Sequence, residues 1–479
     1  MTMQNYYLNY IYLLKGVIMK KRLLLVISTL VILAMVLGAC SLPFSLSQAP
    51  SGAEAVEETE APAQPEITEA VETATEESTE EPSPTETEPV EPTEEITPTT
   101  EPQASQDGTY GPTDFPEGIN PLTGKATDPE LLKLPPALVS VSNFPASARP
   151  QSGLSTSPMV FEIAIGEGMT RFLAIFYGAF PQQVSGLLEG QSSGDSSGDS
   201  GDSGSSSGTA GAAGAASIGP IRSGRLPYED IRSQFSGFLV MASAYSGVAQ
   251  NLSDTTNVFG SDADNINSAL IGVNQLYGMA LARSETYVGS RFSLEGNKFS
   301  PEIPEGGQKA DTVWVFYSSL NQIQWRYDEE LGAYVRYDIK TDGSGEFVMA
   351  TDRLNGQPIT RENVIVLYAT HTYHAPTLID ISLTNIPPMK ALLFRDGQSF
   401  EIKWTSQFGD YEKETGLLRP IRYIDENGDP VALKNGLTWV EVVSTASFAV
   451  ESELSDNPFY PINQAEGTGL WLIRYRGTY

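Results

Sequence analysis

The stretch "MVFEIAIGEGMTRFLAIFYGAF", residues 159–180, decides the fold, because it holds two apolar runs in close succession. The runs at 159–167 and 170–180 are rich in the β-branched and aromatic residues that strands favour. A glycine-bounded glutamate, Glu167, stands between them. The pattern predicts two strands.

Segments on either side extend this pattern. "ALVSVSN" (137–143) and "GFLVMASA" (237–244) have strand character. "LPYEDIRSQF" (226–235) is typical of a helix with proline near its first turn, and "SGVAQNL" (246–252) indicates another helix. Strands interleaved with helices predict an α/β domain at residues 120–305.

A low-complexity segment interrupts this domain at residues 186–218. It consists largely of glycine, serine and alanine, a composition typical of a flexible chain rather than a core element. Because long loops add little closure entropy, we expect an inserted surface loop whose ends lie close together.

Residues 306–450 have a different pattern, in which short β-rich runs alternate with turns. "RDGQ" (395–398) and "ENGD" (426–429) contain the Asp-Gly and Asn-Gly pairs of tight hairpins. The pattern predicts a second, mostly antiparallel β domain. The tail at 451–479, which ends in "LWLIRYRGTY", gives no clear prediction.

The amino-terminal region has the layout of a secretory signal peptide. Lys20, Lys21 and Arg22 precede 17 uncharged residues, 23–39. We expect residues 1–39 to be a signal peptide whose translation starts at Met19. The alternative is an uncleaved anchor, which would also place the remaining chain outside the cytoplasm.

Cys40, the single cysteine of the chain, follows "LGA" at the end of this apolar run. "LGAC" resembles the lipobox of bacterial lipoproteins, which implies cleavage before Cys40, a diacylglyceryl thioether on its sulfur and an acylated new amino terminus. The membrane is then a partner through this lipid anchor, since stable anchoring requires more than one acyl chain. A single cysteine also excludes intramolecular disulfides.

Residues 40–119 are predicted to form a disordered acidic stalk behind the lipid anchor. Residues 54–101 alone hold 17 glutamates and neither lysine nor arginine. Such a segment has too little apolar surface to offset the entropy of ordering. The stalk either lifts the folded part away from the membrane or serves as a spacer without a length requirement.

Charge and motifs exclude several classes of function. The formal net charge of −31 argues against nucleic-acid binding. The sequence has no phosphate-binding loop, no dinucleotide fingerprint and no nucleophile elbow, so no cofactor is predicted. His371 and His374 lack carboxylates at ligand spacing, so no metal site is predicted either. The oligomeric state is not predicted.

Six motifs in order resemble the YerB-like family of bacterial lipoproteins. They are "NPLTG" (120–124), "ARPQSGLS" (148–155), "FEIAIGEGMTRFLAIF" (161–176), "GPIRSGR" (219–225), "LLFRDGQ" (392–398) and "TWVEVV" (438–443). The resemblance implies an exported lipoprotein with two domains of unknown function. It supplies no catalytic residue.

Four arginines form the candidate site. Arg149, Arg171, Arg222 and Arg225 lie in Gly/Pro/Ser-bounded turns or at strand ends, where side chains converge on one rim of an α/β sheet. The planar fork of arginine binds phosphate or carboxylate in a bidentate manner. The alternative is a structural role, in which these arginines pair with Glu162, Glu167, Asp230 and loop carbonyls.

Two functions remain open from the sequence. In the first, the chain is a membrane-anchored lipoprotein that binds an anionic cell-envelope component or a protein partner without catalysis. In the second, it is an enzyme acting on phosphate-linked envelope precursors, with Glu162 or Glu167 as the acid/base group.

Overall fold

The computed structural model describes residues 107–181, 216–260, 267–287, 292–454 and 462–477. The predicted signal peptide, Cys40, the stalk up to residue 106 and residues 186–215 of the predicted insertion therefore lie outside the described residues.

The elements of the described residues are numbered in chain order. The strands are β1 Ile119–Asn120, β2 Lys125–Ala126, β3 Ala137–Ser142, β4 Met159–Gly166, β5 Met169–Phe176, β6 Ser217–Ile218, β7 Phe238–Met241, β8 Thr255–Asn257, β9 Ile271–Gly272, β10 Lys298–Phe299, β11 Gln308–Lys309, β12 Thr312–Ser318, β13 Asn321–Asp328, β14 Ala333–Ile339, β15 Phe347–Met349, β16 Thr360–Arg361, β17 Asn363–Ala375, β18 Leu378–Ser382, β19 Met389–Arg395, β20 Gln398–Thr405, β21 Arg422–Ile424, β22 Ala432–Leu433, β23 Thr438–Ser444, β24 Phe448–Leu454, β25 Ile462–Gln464 and β26 Leu470–Arg474. The helices are α1 Pro129–Leu132, α2 Pro227–Phe235, α3 Ser246–Ala249, α4 Val273–Tyr287 and α5 Asp410–Thr415.

A twelve-stranded mixed sheet forms the centre of the fold. Its main path runs β11-β20-β19-β17-β23-β4-β5-β3-β7-β8, with β18 and β21 attached beside it. Strands β17, β23 and β4 are parallel to one another, as are β3, β7 and β8, whereas β5 is antiparallel to both of its neighbours. Strands from both sides of residue 305 thus share one sheet, and the predicted domain boundary there stays a prediction.

A second sheet of eight strands follows the path β15-β14-β13-β12-β26-β24-β25, with β16 paired to β14. Strands β12 to β15 form an antiparallel meander, as the β-rich pattern predicts. The tail that the sequence left unplaced supplies β26, which pairs in parallel with β12 and antiparallel with β24. Its "LWLIR" run therefore lies inside a sheet.

The local predictions around the opening stretch are confirmed. The two apolar runs at 159–180 are β4 and β5, and the helix predicted at 226–235 is α2. The "RDGQ" hairpin joins β19 to β20, with positive φ angles of 52° at Asp396 and 69° at Gly397. Two successive positive φ angles are the requirement of a type I′ turn.

Both faces of the central sheet are buried, and alternate residues of a strand point to opposite faces. On β5, Phe172 and Phe176 face the second sheet, whereas Leu173 and Ile175 pack in the core on the other face. Helix α2 covers that other face through residues that include Tyr228. Consecutive residues of β4 and β5 therefore enter different environments.

A buried ionic cluster lies between the two sheets. Arg336 on β14 contacts Glu162 Oε2 through Nη1 at 2.8 Å and Asp338 Oδ1 through Nη2 at 3.0 Å. Glu441 Oε1 lies 3.7 Å from Arg336 Nη1. These four residues are called the Arg336 cluster. Its two glutamates are neighbours because β23 and β4 pair in parallel with Glu441 opposite Glu162.

Hydrogen bonds and charge determine the protonation of this cluster. Trp325 Nε1 and Tyr317 Oη donate to the two oxygens of Glu441, at 2.9 and 3.0 Å. Burial first, and then the neighbouring Glu162, raise the pKa of Glu441 from its ordinary 4.5 to about 8. Burial lowers the pKa of Arg336, but Asp338, Glu162 and Glu441 together raise it above its ordinary value.

The inter-sheet core generates a stability prediction. Phe172 is 1% exposed, and its ring lies 5.0 Å from that of Trp439 between the sheets. We expect Phe172→Ala to lower the free energy of unfolding by about 3–5 kcal/mol, because it removes buried area and leaves a cavity. Phe408→Ala, at a phenylalanine that is 47% exposed, should cost less than about 1 kcal/mol. Equal losses in urea unfolding would contradict this packing.

The raised pKa of Glu441 generates a pH prediction. The folded protein retains a proton on Glu441 up to about pH 8, whereas the unfolded chain loses it near pH 4.5. The contribution of Glu441 to the free energy of unfolding is therefore fully present below pH 4.5 and is lost as the pH rises to about 8. We expect Glu441→Gln to flatten this decline, because the amide remains neutral. The matched control is Glu330→Gln at an exposed glutamate. Unfolding free energies measured from pH 4 to pH 9 check both, and a slope unchanged by Glu441→Gln would refute the assignment.

Candidate functional site

The loop that carries Arg222 and Arg225 is fixed between two strand ends of the central sheet. Arg222 N donates to Ser140 O on β3 at 2.9 Å, and Gly224 N donates to Ser243 O after β7 at 2.9 Å. A side chain at Gly224 would begin 2.5 Å from Met241 Sδ, so a larger residue would require the Met241 side chain to move. Because β3 and β7 are parallel, the loop lies at their carboxyl ends, where open α/β sheets bind ligands.

Arg171 reaches the same rim from the antiparallel strand β5, where it pairs with Ser142 at the end of β3. Its side chain is 3% exposed. Nη1 donates to Ser223 O at 2.7 Å and to Ser223 Oγ at 3.0 Å, which ties the loop to the sheet. Its Nε is buried and has no hydrogen-bond partner. Arg171, Arg222 and Arg225 are called the arginine rim.

The arginine rim concentrates positive charge in a mostly buried position. Burial first, and then repulsion by Arg225 and Arg222, lower the pKa of Arg171 to about 9 despite the opposing effect of Tyr228. Burial and Arg222 likewise lower the pKa of Arg225. Among the described residues, no carboxylate forms an ion pair with Arg171 or Arg225. Guanidinium groups so placed favour an added anion.

Hydroxyl groups that the sequence did not single out complete this rim. Tyr228 Oη on α2 lies 3.2 Å from Ser140 Oγ, and Ser140 Oγ donates to Ser223 O at 3.4 Å. Tyr228 is fully buried against Arg171 and Arg225, and burial raises its pKa. Its position in the first turn of a helix that follows "RSGR" was the only sequence signal available.

The carboxylates proposed as structural partners lie elsewhere. Glu162 belongs to the Arg336 cluster on the opposite face of the sheet from Arg171. Asp230 accepts from Leu383 N at 2.8 Å and Thr384 N at 3.1 Å. Glu167 is exposed in the turn between β4 and β5. The prediction that Arg171 and Arg225 pair with these carboxylates is therefore wrong. The predicted contact with a loop carbonyl exists between Arg171 and Ser223 O.

Arg149 does not join the rim. Its Nε donates to Asn143 Oδ1 at 3.0 Å, and its guanidinium lies 5.2 Å from the centre of the Phe144 ring. With Lys340 and Asp342 it lines a separate cavity of about 390 Å³. The structure thus brings together three of the four predicted arginines.

The Arg336 cluster was missed from the sequence, although a signal existed. "YVRYD" and "WVEVV" each place a charged residue inside a run of strand-forming residues, and charges there are rarely buried without partners.

In the described part of the chain, no group of three His, Cys, Asp or Glu residues could hold a metal ion. No described helix has the length and apolar character needed to cross a bilayer.

Comparison with known proteins shows which proteins this chain resembles. Residues 122–186 and 313–440 match the amino-terminal and carboxy-terminal domains of a family of unknown function, DUF3048. The Bacillus subtilis protein YerB, named as a putative lipoprotein, is 25% identical over 344 residues, which cover 67% of this chain and 85% of YerB. The crystal structure of B. subtilis YerB matches with a TM-score of 0.48 at 22% identity, over 68% of this chain and 96% of that one. Both domains of this family are matched in chain order, so the chain is similar to the YerB-like family.

Proposed function

We propose that this chain is a lipid-anchored protein of the cell envelope whose arginine rim binds an anionic envelope component. The observation that carries the proposal is Arg171, a buried guanidinium without a carboxylate partner among the described residues, beside Arg225 and Arg222. Taking a charge out of water is costly unless a counter-charge compensates it. A bound phosphate or carboxylate supplies that counter-charge.

The donors at the rim suit a tetrahedral or planar oxyanion. Guanidinium groups form short, charge-assisted hydrogen bonds with such anions, often in pairs. The hydroxyl groups of Ser223, Ser140 and Tyr228 lie beside the guanidinium groups and add polar contacts. The carboxyl ends of β3 and β7 hold the loop in place, so the donors are ordered before the anion arrives.

Binding without catalysis explains the geometry better than an enzyme does. The enzyme hypothesis needs Glu162 or Glu167 beside the arginines. Glu162 lies on the other face of the sheet in an ion pair with Arg336, and Glu167 lies in an exposed turn. Neither carboxylate is positioned to move a proton for a ligand at the rim.

The anchor part of the proposal rests on the lipobox-like sequence at Cys40 and on the name of the B. subtilis relative as a putative lipoprotein. Lipid on Cys40 holds the chain at the outer side of the cytoplasmic membrane, because several acyl chains together make the attachment stable. The ligand is then a component of the envelope that the folded part can reach.

Pyrophosphate binding tests the arginine rim. We expect sodium pyrophosphate to raise the midpoint of thermal unfolding of the full chain relative to sodium chloride at equal ionic strength. Arg225→Ala should weaken pyrophosphate binding about tenfold or more, since one charge-assisted hydrogen bond contributes roughly 1.5–3 kcal/mol. Without pyrophosphate, the Arg225→Ala chain should be no less stable than the unaltered chain, because the change removes a positive charge that repels Arg171. The control is Arg353→Ala, at an exposed arginine outside the rim. Equal pyrophosphate affinity of the Arg225→Ala chain and the unaltered chain would exclude the rim as the site.

Mass spectrometry of the native protein tests the anchor. We expect an amino-terminal peptide that begins at Cys40 and carries diacylglyceryl and acyl groups. Cys40→Ser should abolish this modification, because an oxygen cannot form the thioether, whereas Ser41→Ala should retain it. Recovery of an unmodified, uncleaved amino terminus in the soluble cell interior would overturn the placement.

A further inference from the structure

A second concave site lies at the carboxyl ends of the three parallel strands β17, β23 and β4. The turn between β4 and β5, the end of β12, the far end of β17 and the segment after β26 converge there. They enclose a crevice of about 280 Å³ lined by Glu167, Tyr317, Ser318, Tyr373 and Tyr475. It is called the tyrosine crevice. Its size, near the lower end of the range of about 300–1,000 Å³ for ligand pockets, suits a small molecule.

The walls of the tyrosine crevice are held in close contact. A side chain at Gly166 would begin 2.0 Å from Pro376 O, and one at Gly168 would begin 2.3 Å from Ser318 Cβ. Between these glycines, Glu167 has a φ of 53°, which is unfavourable for a residue with a side chain. Such strain in a well-braced turn is typical of functional sites. The turn therefore fixes the backbone from which the Glu167 side chain extends at the edge of the crevice.

Hydroxyl groups of the crevice are already engaged. Tyr317 Oη donates to Glu441 at 3.0 Å, and Tyr373 Oη lies 2.6 Å from Tyr475 Oη. Ser318 Oγ donates to Gly168 O at 3.1 Å. What the tyrosines offer a ligand is therefore mainly aromatic surface, and a sugar would find few hydroxyl partners here.

Charges around the crevice are negative. Glu167 forms no ion pair with a described residue. The Arg336 cluster behind Tyr317 holds three carboxyl groups, of which Glu441 retains its proton, against one guanidinium. The guanidinium groups of Arg474 and Arg476 lie over Phe316 and Phe448, and neither arginine lines the crevice. The ring of His371 lies 5.8 Å from that of Tyr475, and burial lowers the pKa of His371 to about 4, so it is neutral at pH 7.

We propose that the tyrosine crevice binds an organic ammonium ion, with Glu167 as the counter-ion and Tyr317, Tyr373 and Tyr475 as the aromatic walls. Cations are attracted to the faces of aromatic rings, and aromatic cages recognise quaternary ammonium groups in this way. The described residues that line the crevice include no cation, and their hydroxyl groups are engaged. Both features favour this chemistry over an anion or a neutral sugar. The site is separate from the arginine rim.

Calorimetric titration of the full chain in non-ionic detergent with choline tests the proposal. The matched neutral probe is 3,3-dimethylbutan-1-ol, which has the same shape without the charge. We expect choline to bind about tenfold more tightly than this alcohol, as a cation–π contribution of about 1–2 kcal/mol requires. Equal affinities, or binding of methyl β-glucoside with none of choline, would overturn the ammonium assignment.

Variants locate the site. Glu167→Gln, at an exposed position that leaves the core intact, should weaken choline binding about two- to fivefold, as the loss of an exposed charge pair does. Tyr475→Phe retains the ring and should change the affinity less than about threefold, whereas Tyr475→Leu should weaken it about tenfold. Arg225→Ala, at the arginine rim, should leave it unchanged. Choline affinity unaltered by Glu167→Gln would exclude the crevice, even if Tyr475→Leu failed to fold.

Discussion

The fold depends on the parallel pairing of β23 with β4, which joins strands from distant parts of the chain at the centre of one sheet. This pairing places Glu441 opposite Glu162 in the space between two sheets, where both glutamates are fully buried. Two carboxylates in such a position repel each other and lose their hydration. Two features reduce this repulsion: the ion pair of Glu162 with Arg336 from the second sheet, and the proton that Glu441 retains. The packing of the two sheets therefore depends on the protonation of Glu441.

Alternation along the strands then separates the chemical environments. Glu162 and Phe172 face the second sheet, whereas Arg171, one residue from Phe172, faces the side covered by helix α2. On one face, Arg336 compensates the charge of Glu162. On the other face, the charge of Arg171 has no ion-pair partner among the described carboxylates. The same β-hairpin thus supplies a stabilising ion pair, the buried member of the arginine rim and, at its turn, the carboxylate of the tyrosine crevice.

The sequence predicted local structure well and long-range pairing poorly, for a physical reason. Strands β4 and β5, helix α2 and the Asp396-Gly397 turn follow from short-range patterns of apolar, β-branched and turn residues. The pairing of β23 with β4, and with it the Arg336 cluster, brings together residues far apart in sequence, which no local pattern records. Convergence of Arg171, Arg222 and Arg225 was predictable from their places at strand ends. Arg149 follows a single turn of 3₁₀ helix at Ala146–Ala148, outside the strands whose alternation sets the direction of a side chain, and it lines another cavity.

Net charge is a poor guide to the local electrostatics of this molecule. A formal charge of −31 would repel anions if every charge acted at every distance. At physiological ionic strength, however, exposed charges are screened beyond roughly 8 Å. A ligand at the arginine rim would therefore respond mainly to Arg171, Arg225 and their neighbours. Burial first, and then neighbouring guanidinium groups, lower the pKa values of Arg171 and Arg225. The buried position of Arg171 strengthens this local interaction, because water that would screen it is excluded. An acidic protein can thus present buried guanidinium groups at one rim of a sheet and the exposed carboxylate of Glu167 at another place.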